Sequence, residues 1–115
     1  MRMKKIFAIL FCWLPLVANA YVDRPNAVVR VMNKDAGKVQ EFVVPVGQEL
    51  QFEKIFINVR TCKQTDPFDA EDFWVFLEIA EPEKGQVFSG WMSRNEPGQN
   101  PVQHPDYDVW LVRCE

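Results

Sequence analysis

The chain has 115 residues, with 13 basic and 16 acidic side chains and a net charge of −3 at neutral pH. A chain of this length makes one domain with a modest core. The acidic balance argues against nucleic acid or anionic lipid as a partner, because both are polyanions.

The first twenty residues have the three-part pattern of a secretory signal peptide. A positively charged start is followed by an uncharged apolar run over residues 6–17 and by Ala-Asn-Ala at 18–20. A signal peptidase recognises small side chains at such positions, so cleavage is predicted before Tyr21. We therefore assign residues 1–20 to a signal peptide and the mature protein to the periplasm.

The same segment disfavours two membrane-bound forms. A spanning helix needs roughly 20 apolar residues, and the apolar run is shorter than that. A lipid-modified cysteine needs a small residue before it, whereas Phe11 precedes Cys12. We expect no transmembrane span after the signal peptide is removed.

Cleavage would also change the charge and the number of cysteines. Ten basic residues would remain against sixteen acidic ones, which gives a net charge of −6, and Cys12 would be lost. The two remaining cysteines, Cys62 and Cys114, predict a disulfide in an exported domain. The bridge would close a loop of about 52 residues and stabilise the fold by about 4 kcal/mol. Two reduced thiols or a metal-binding pair are the alternatives.

The mature chain alternates short strand patterns with turn residues. Residues 21–26 are polar and contain Pro25, which predicts a loose leader before a single domain over 27–115. The segment 49–52 is either a brief strand or a bend, and no window shows helical spacing. We predict an all-β domain of six to seven strands, either a small antiparallel β-sandwich or a partly open barrel. The other predicted strands cover residues 27–33, 38–44, 55–62, 73–79, 86–92 and 107–114.

If side chains alternate strictly between the two faces of a strand, the sequence predicts the face on which each cysteine lies. Cys62 falls on the same face as Arg60, opposite the apolar face that contains Val59. Cys114 falls on the same face as Trp110. The bridge would bring these two strands, or the sheets that contain them, together.

Two loops are candidates for function. Residues 63–72 contain four carboxylates and could bind calcium, but they lack the spacing and the glycine of an EF-hand. Residues 93–106 form a loop longer than about 12 residues, and such loops in compact domains are often functional. Residues within and beside this loop form the predicted binding surface, namely Trp91, Arg94, His104, Tyr107 and Asp108.

The sequence contains no convincing catalytic set. His104 is the one histidine, and neither Ser89 nor Ser93 stands in a Gly-x-Ser-x-Gly elbow. The enzymatic alternative is a small envelope hydrolase that cleaves cell-wall glycan with His104 and either Asp106 or Asp108. We predict neither a cofactor nor a metal site.

Two segments of the second half form a specific pair. They are Val-Phe-Ser-Gly-Trp-Met at 87–92 and His-Pro-x-Tyr-Asp-Val-Trp at 104–110. In the first half, Val-Pro-Val-Gly at 44–47 and the spacing of Ile57, Arg60 and Cys62 belong to the same pattern. Over residues 27–114 the chain resembles the domain-of-unknown-function family numbered 2155, which comprises small exported proteins of alphaproteobacterial type. The resemblance assigns no catalytic residues, and its pattern includes both cysteines, which favours the bridge.

These patterns together predict a non-catalytic interaction or structural module of the cell envelope. Its partner would be an envelope protein or a cell-wall component. A small hydrolase is the first alternative, and a calcium- or small-ligand-binding module is the second.

Overall fold

A computed structural model describes residues 21–66 and 68–115. The predicted signal peptide and Cys12 lie outside the described residues. The regular structure in these ranges consists of β-strands, which confirms the all-β prediction, although there are eight strands rather than six or seven. They are β1 (Tyr21–Asp23), β2 (Asn26–Asn33), β3 (Lys38–Pro45), β4 (Glu49–Phe52), β5 (Ile55–Thr65), β6 (Phe73–Glu81), β7 (Gly85–Ser93) and β8 (Tyr107–Cys114).

The additional strand, β1, lies in the segment predicted as a loose leader. It pairs antiparallel with the end of β5, so that Tyr21 lies opposite Thr65 and Asp23 lies opposite Lys63. All three side chains of β1 are exposed, so no hydrophobic alternation marks the strand in the sequence. Backbone pairing, rather than burial, therefore corrects the leader prediction over residues 21–23.

The strands form two antiparallel sheets that do not close into a barrel. Sheet A has the order β1-β5-β6-β7, and β4 also pairs with β5. Sheet B has the order β3-β2-β8. Apolar side chains from both sheets fill the core, and Val29, Ile57 and Leu77 are fully buried. Within the described ranges, no helix has the length and apolarity needed to cross a bilayer.

Two β-bulges turn both cysteines into the core. The pairing of β5 with β6 shifts at Arg60, and the pairing of β2 with β8 skips Val112. One extra residue reverses the side-chain alternation that follows it. Cys62 and Cys114 are therefore buried on the inner faces, whereas strict alternation placed them with Arg60 and Trp110.

The disulfide between Cys62 and Cys114 is present and joins the two sheets. The Cα atoms of the two residues lie 5.7 Å apart, within the range that a disulfide spans. Because Cys62 lies on β5 and Cys114 on β8, the bridge links the middle of sheet A to an edge of sheet B. The prediction of one bridge between these residues is confirmed.

The long loop packs against the sandwich between β7 and β8. Val102 and His104 are buried within it, and Lys34 Nζ donates a hydrogen bond to the His104 carbonyl oxygen at 2.8 Å. Asn100 Nδ2 donates to the Trp91 carbonyl oxygen on β7 at 2.9 Å. This loop therefore contributes to the packed structure and fixes the position of β7.

Candidate functional site

Aromatic side chains gather on the outer surface of sheet A. Tyr21, Trp74 and Trp91 line a shallow depression of about 290 Å³ together with Lys63. These four residues and the neighbouring Phe76 are called the aromatic face below. Tyr21 and Trp91 expose 48% and 40% of their surfaces, although large rings in a small domain usually serve to fill the core.

The alternation of β6 explains why two of these rings point outward. Val75 and Leu77 are fully buried on the inner side of the strand, whereas Trp74 and Phe76 are only partly buried. Successive side chains of a strand point to opposite faces, so the two rings must lie on the outer side. The sequence of β6 is apolar on both faces because its outer face supports an aromatic surface.

Strand register arranges the aromatic face as a diagonal row. Lys63 lies opposite Trp74, and Trp91 lies opposite the residue two positions further along β6. Tyr21 lies opposite Thr65, two positions beyond Lys63 in the other direction. The row thus crosses four strands and spans about 20 Å, given a strand spacing of about 4.8 Å and a rise of about 3.3 Å per residue.

Two contacts fix the Trp91 side chain and backbone. Its ring meets that of Phe76 edge to face, with centroids 5.4 Å apart and an interplanar angle of 74°. The hydrogen bond from Asn100 holds its carbonyl oxygen. The neighbouring Gly90 permits this bond, because a Cβ atom there would lie 2.7 Å from Asn100 Nδ2. The exposed indole is therefore held in place before any ligand binds.

Two ion pairs lie on the outer surface of sheet A. Lys63 Nζ contacts Asp23 Oδ1 at 2.5 Å. Arg60 Nε donates to Glu78 Oε1 at 2.7 Å. Each pair combines one cation with one anion, so these four side chains give the surface around the rings no net charge.

A second cluster, called the polar end below, surrounds His104. The backbone N–H of Asp106 donates to His104 Nδ1 at 2.9 Å, so the proton of the neutral imidazole is on Nε2. Nε2 then donates to Glu81 Oε1 at 2.8 Å. This hydrogen bond lowers the pKa of Glu81 below its ordinary value, and burial opposes it. Both ring nitrogens of His104 are therefore engaged.

Glu53 joins the polar end from the two-residue hairpin between β4 and β5. Its φ of 52° is rare for a non-glycine residue and costs roughly 1–3 kcal/mol. Its Oε1 accepts hydrogen bonds from Asn33 Nδ2 at 2.7 Å and from the Tyr107 hydroxyl at 3.2 Å. Burial raises the pKa of Tyr107, and the bond to Glu53 raises it further. Glu53 and Glu81 also line a depression of about 430 Å³.

The structure separates the five predicted binding residues. His104 and Tyr107 lie together at the polar end, with ring centroids 5.1 Å apart. Asp108 Oδ1 lies 3.5 Å from Lys34 Nζ, which also bonds the His104 carbonyl oxygen. Trp91 belongs instead to the aromatic face.

Arg94 is engaged with the acidic loop. Its guanidinium donates to both the side chain and the carbonyl oxygen of Glu71 at 3.3 and 3.2 Å. It also stacks over the Phe73 ring, with Cζ 4.7 Å from the centroid. This side chain connects the long loop to the acidic loop.

Two carboxylates of the acidic loop accept hydrogen bonds from neighbouring groups of the protein. Asp72 Oδ1 accepts from the backbone N–H groups of Phe73 and Asn95, and its Oδ2 accepts from Ser93 Oγ at 2.7 Å. Asp66 Oδ1 accepts from the Phe68 N–H at 2.9 Å. In residues 21–66 and 68–115, no group of three or more His, Cys, Asp or Glu side chains is placed to hold a metal ion. Calcium binding by this loop stays a hypothesis.

The comparisons with known proteins identify a family. The family model described as "Uncharacterized protein conserved in bacteria (DUF2155)" matches residues 27–114. The chain belongs to this family. The match confirms the resemblance found in the sequence and covers β2 to β8 with both cysteines, whereas Tyr21 precedes it.

One relative of this DUF2155 protein is the "Uncharacterized protein RP359" of Rickettsia prowazekii (strain Madrid E). The two are 26% identical over 94 residues, which cover 77% of this chain and 60% of the relative. The chain thus spans less than two thirds of that relative's length. No solved structure matches the chain.

Proposed function

We propose that this DUF2155 protein is a non-catalytic binding module of the cell envelope. It acts in the periplasm and engages an envelope component through the aromatic face. The observation that supports the proposal is the row of Tyr21, Trp74 and Trp91 around Lys63, in which Tyr21 and Trp91 are exposed and Trp74 is partly buried. Tryptophan and tyrosine dominate binding energy at interfaces, because they combine a large apolar area with a polar tip.

The geometry of His104 favours binding over hydrolysis. A general base must reach the proton that it removes, directly or through one water molecule. His104 is only 6% exposed, and both of its ring nitrogens are in hydrogen bonds. Ser93, the first residue of the long loop, is buried and donates to Asp72. We therefore rank the envelope hydrolase below the binding module.

Export is the part of the proposal that rests on residues 1–20. We expect the mature protein to begin at Tyr21 and to appear in the periplasmic fraction. N-terminal sequencing and cell fractionation measure both. An uncleaved chain in the cytoplasm would contradict export.

The role of the aromatic face is tested by recovery of partners from envelope extracts. Wild type is compared with Trp91→Ala and with Val43→Ala, a control on sheet B whose side chain is 56% exposed. Loss of a dominant interface side chain costs about 2 kcal/mol, so Trp91→Ala should weaken binding roughly thirtyfold. Val43→Ala should behave as wild type. Equal recovery by three folded proteins would disprove the role of the face.

A further inference from the structure

We infer that the aromatic face binds a linear polysaccharide made of uncharged sugar rings. The inference rests on the proposed function and names the class of ligand for the same surface. Three observations support it, namely the diagonal row of rings, the unused polar tips of those rings and the paired charges around them.

The row of rings suits an extended chain of flat, repeating units. The face of an aromatic ring is electron-rich and attracts positively polarised C–H groups, which a sugar ring presents on its flat side. Tyr21, Trp74 and Trp91 offer such faces along about 20 Å of the sheet surface, given the strand spacing and rise. A polysaccharide of several sugar rings can contact all three rings and continue along the row in both directions.

The polar tips of the rings match sugar hydroxyl groups. Among the residues that the structure describes, none accepts a hydrogen bond from the indole N–H of Trp74 or Trp91. These donors lie beside Lys63 in a depression with an apolar lining. A ligand that places hydroxyl oxygens next to apolar C–H surfaces satisfies both kinds of group, and a purely apolar ligand would leave the donors unpaired.

The paired charges favour an uncharged polymer. An anionic chain would have to compete with Asp23 for Lys63 and would meet the overall negative charge of the domain. An extended peptide gains its affinity by pairing with the backbone at the free edge of a sheet, whereas Lys63 and Trp74 at the centre of the row lie on the inner strands β5 and β6. Neither objection applies to a neutral polysaccharide.

The rigidity of Trp91 supports binding by stacking. Phe76 holds the indole edge to face, and Asn100 holds the backbone beneath it. A ring that is already fixed loses little conformational freedom when a ligand stacks on it. The free domain thus presents this part of the surface in a form that is ready to bind.

The test follows the tryptophan indole N–H signals of the nitrogen-labelled mature protein by NMR. The probes are hexamers of β-1,4-linked N-acetylglucosamine and of β-1,4-linked glucose. We expect at least one hexamer to shift the signals of Trp74 and Trp91 and to leave that of Trp110 on sheet B unchanged. Absence of any shift with both hexamers at millimolar concentration would overturn the inference, as would a shift confined to Trp110.

Two variants test whether Trp91 binds the hexamers, and a charged polymer tests whether the ligand must be uncharged. Trp91→Ala should weaken hexamer binding at least tenfold, whereas Phe68→Ala, which removes a 95% exposed ring outside the face, should not change it. Tighter binding of polygalacturonate, an anionic chain, would overturn the preference for an uncharged ligand. If Trp91→Ala abolishes recovery of an envelope protein while neither hexamer binds, the inference fails and the proposed function stands.

Discussion

Glu81 and His104 show how single residues define the polar end. The Asp106 N–H fixes the imidazole tautomer, and the Nε2 proton then bonds the Glu81 carboxylate. The same bond lowers the pKa of Glu81 from its ordinary value of 4.5. A carboxylate with a lowered pKa in the folded state stabilises that state above its ordinary pKa.

The hydrogen bond between Glu81 and His104 makes the free energy of unfolding fall in acid. The contribution of Glu81 is complete above about pH 4.5 and is lost as the pH falls through its lowered folded pKa. We expect wild type to exceed Glu81→Gln in free energy of unfolding at pH 5, where the contribution of Glu81 is complete. The difference should shrink below pH 4.5. Urea unfolding of both proteins across this range measures it, and a gap that widens in acid would be inconsistent with the pairing.

Gly90 and Asn100 form a coupled pair behind Trp91. A Cβ atom at position 90 would displace the Asn100 amide and break its bond to the Trp91 carbonyl oxygen. Gly90→Ala should therefore cost about 1 kcal/mol of stability in wild type. In an Asn100→Ala background the same change should cost nothing, because the bond is already absent. Equal costs in both backgrounds, measured by chemical denaturation, would show that the two residues are not coupled.

The strands other than β1 were largely predictable because their sequences alternate or are apolar between turn residues. The bounds of β8 agree with the prediction, β2, β3 and β6 differ from it by one or two residues at one end, and β7 is longer by one residue at each end. The face assignments of Cys62 and Cys114 failed, because a bulge depends on the partner strand and leaves no mark in the alternating pattern. β1 was missed for a related reason, since its exposed side chains carry no burial pattern.

The bulge at Arg60 is expected to be necessary for the bridge. Deletion of Arg60 would restore strict alternation and turn Cys62 to the outer face of sheet A. The deletion variant should then contain two free thiols, whereas wild type contains none after the signal peptide is removed. Alkylation under denaturing conditions followed by mass measurement counts the thiols. A bridge formed with wild-type yield would refute the role of the bulge.

The whole domain depends on the bridge because its core is modest. A mature domain of this size buries only about 60–65% of the surface of its unfolded chain. Replacing both cysteines, as in C62A/C114A, should lower the free energy of unfolding by about 4 kcal/mol. Guanidinium titration of the variant and of the oxidised wild type measures the difference. A loss below about 1 kcal/mol would mean that the bridge contributes little.

The aromatic face emerges only at the scale of the whole molecule. Trp91 was predicted to bind because it flanks the long loop, but its neighbours on the face come from β1, β5 and β6. Their proximity depends on strand order and register, which cannot be read from the strand patterns of a single sequence. The polar end was partly predicted, since His104 and Tyr107 are close in sequence, whereas Glu53 and Glu81 reach it from distant hairpins.

Photocrosslinking in living cells tests the central claim that the exported domain binds through the aromatic face. A photoreactive residue is placed at Ser89, which is exposed two positions from Trp91 on β7, or at Val43 on the opposite sheet. We predict a crosslink to an envelope component from position 89 and none from position 43. Crosslinks from position 43 alone, or a protein confined to the cytoplasm, would contradict the account.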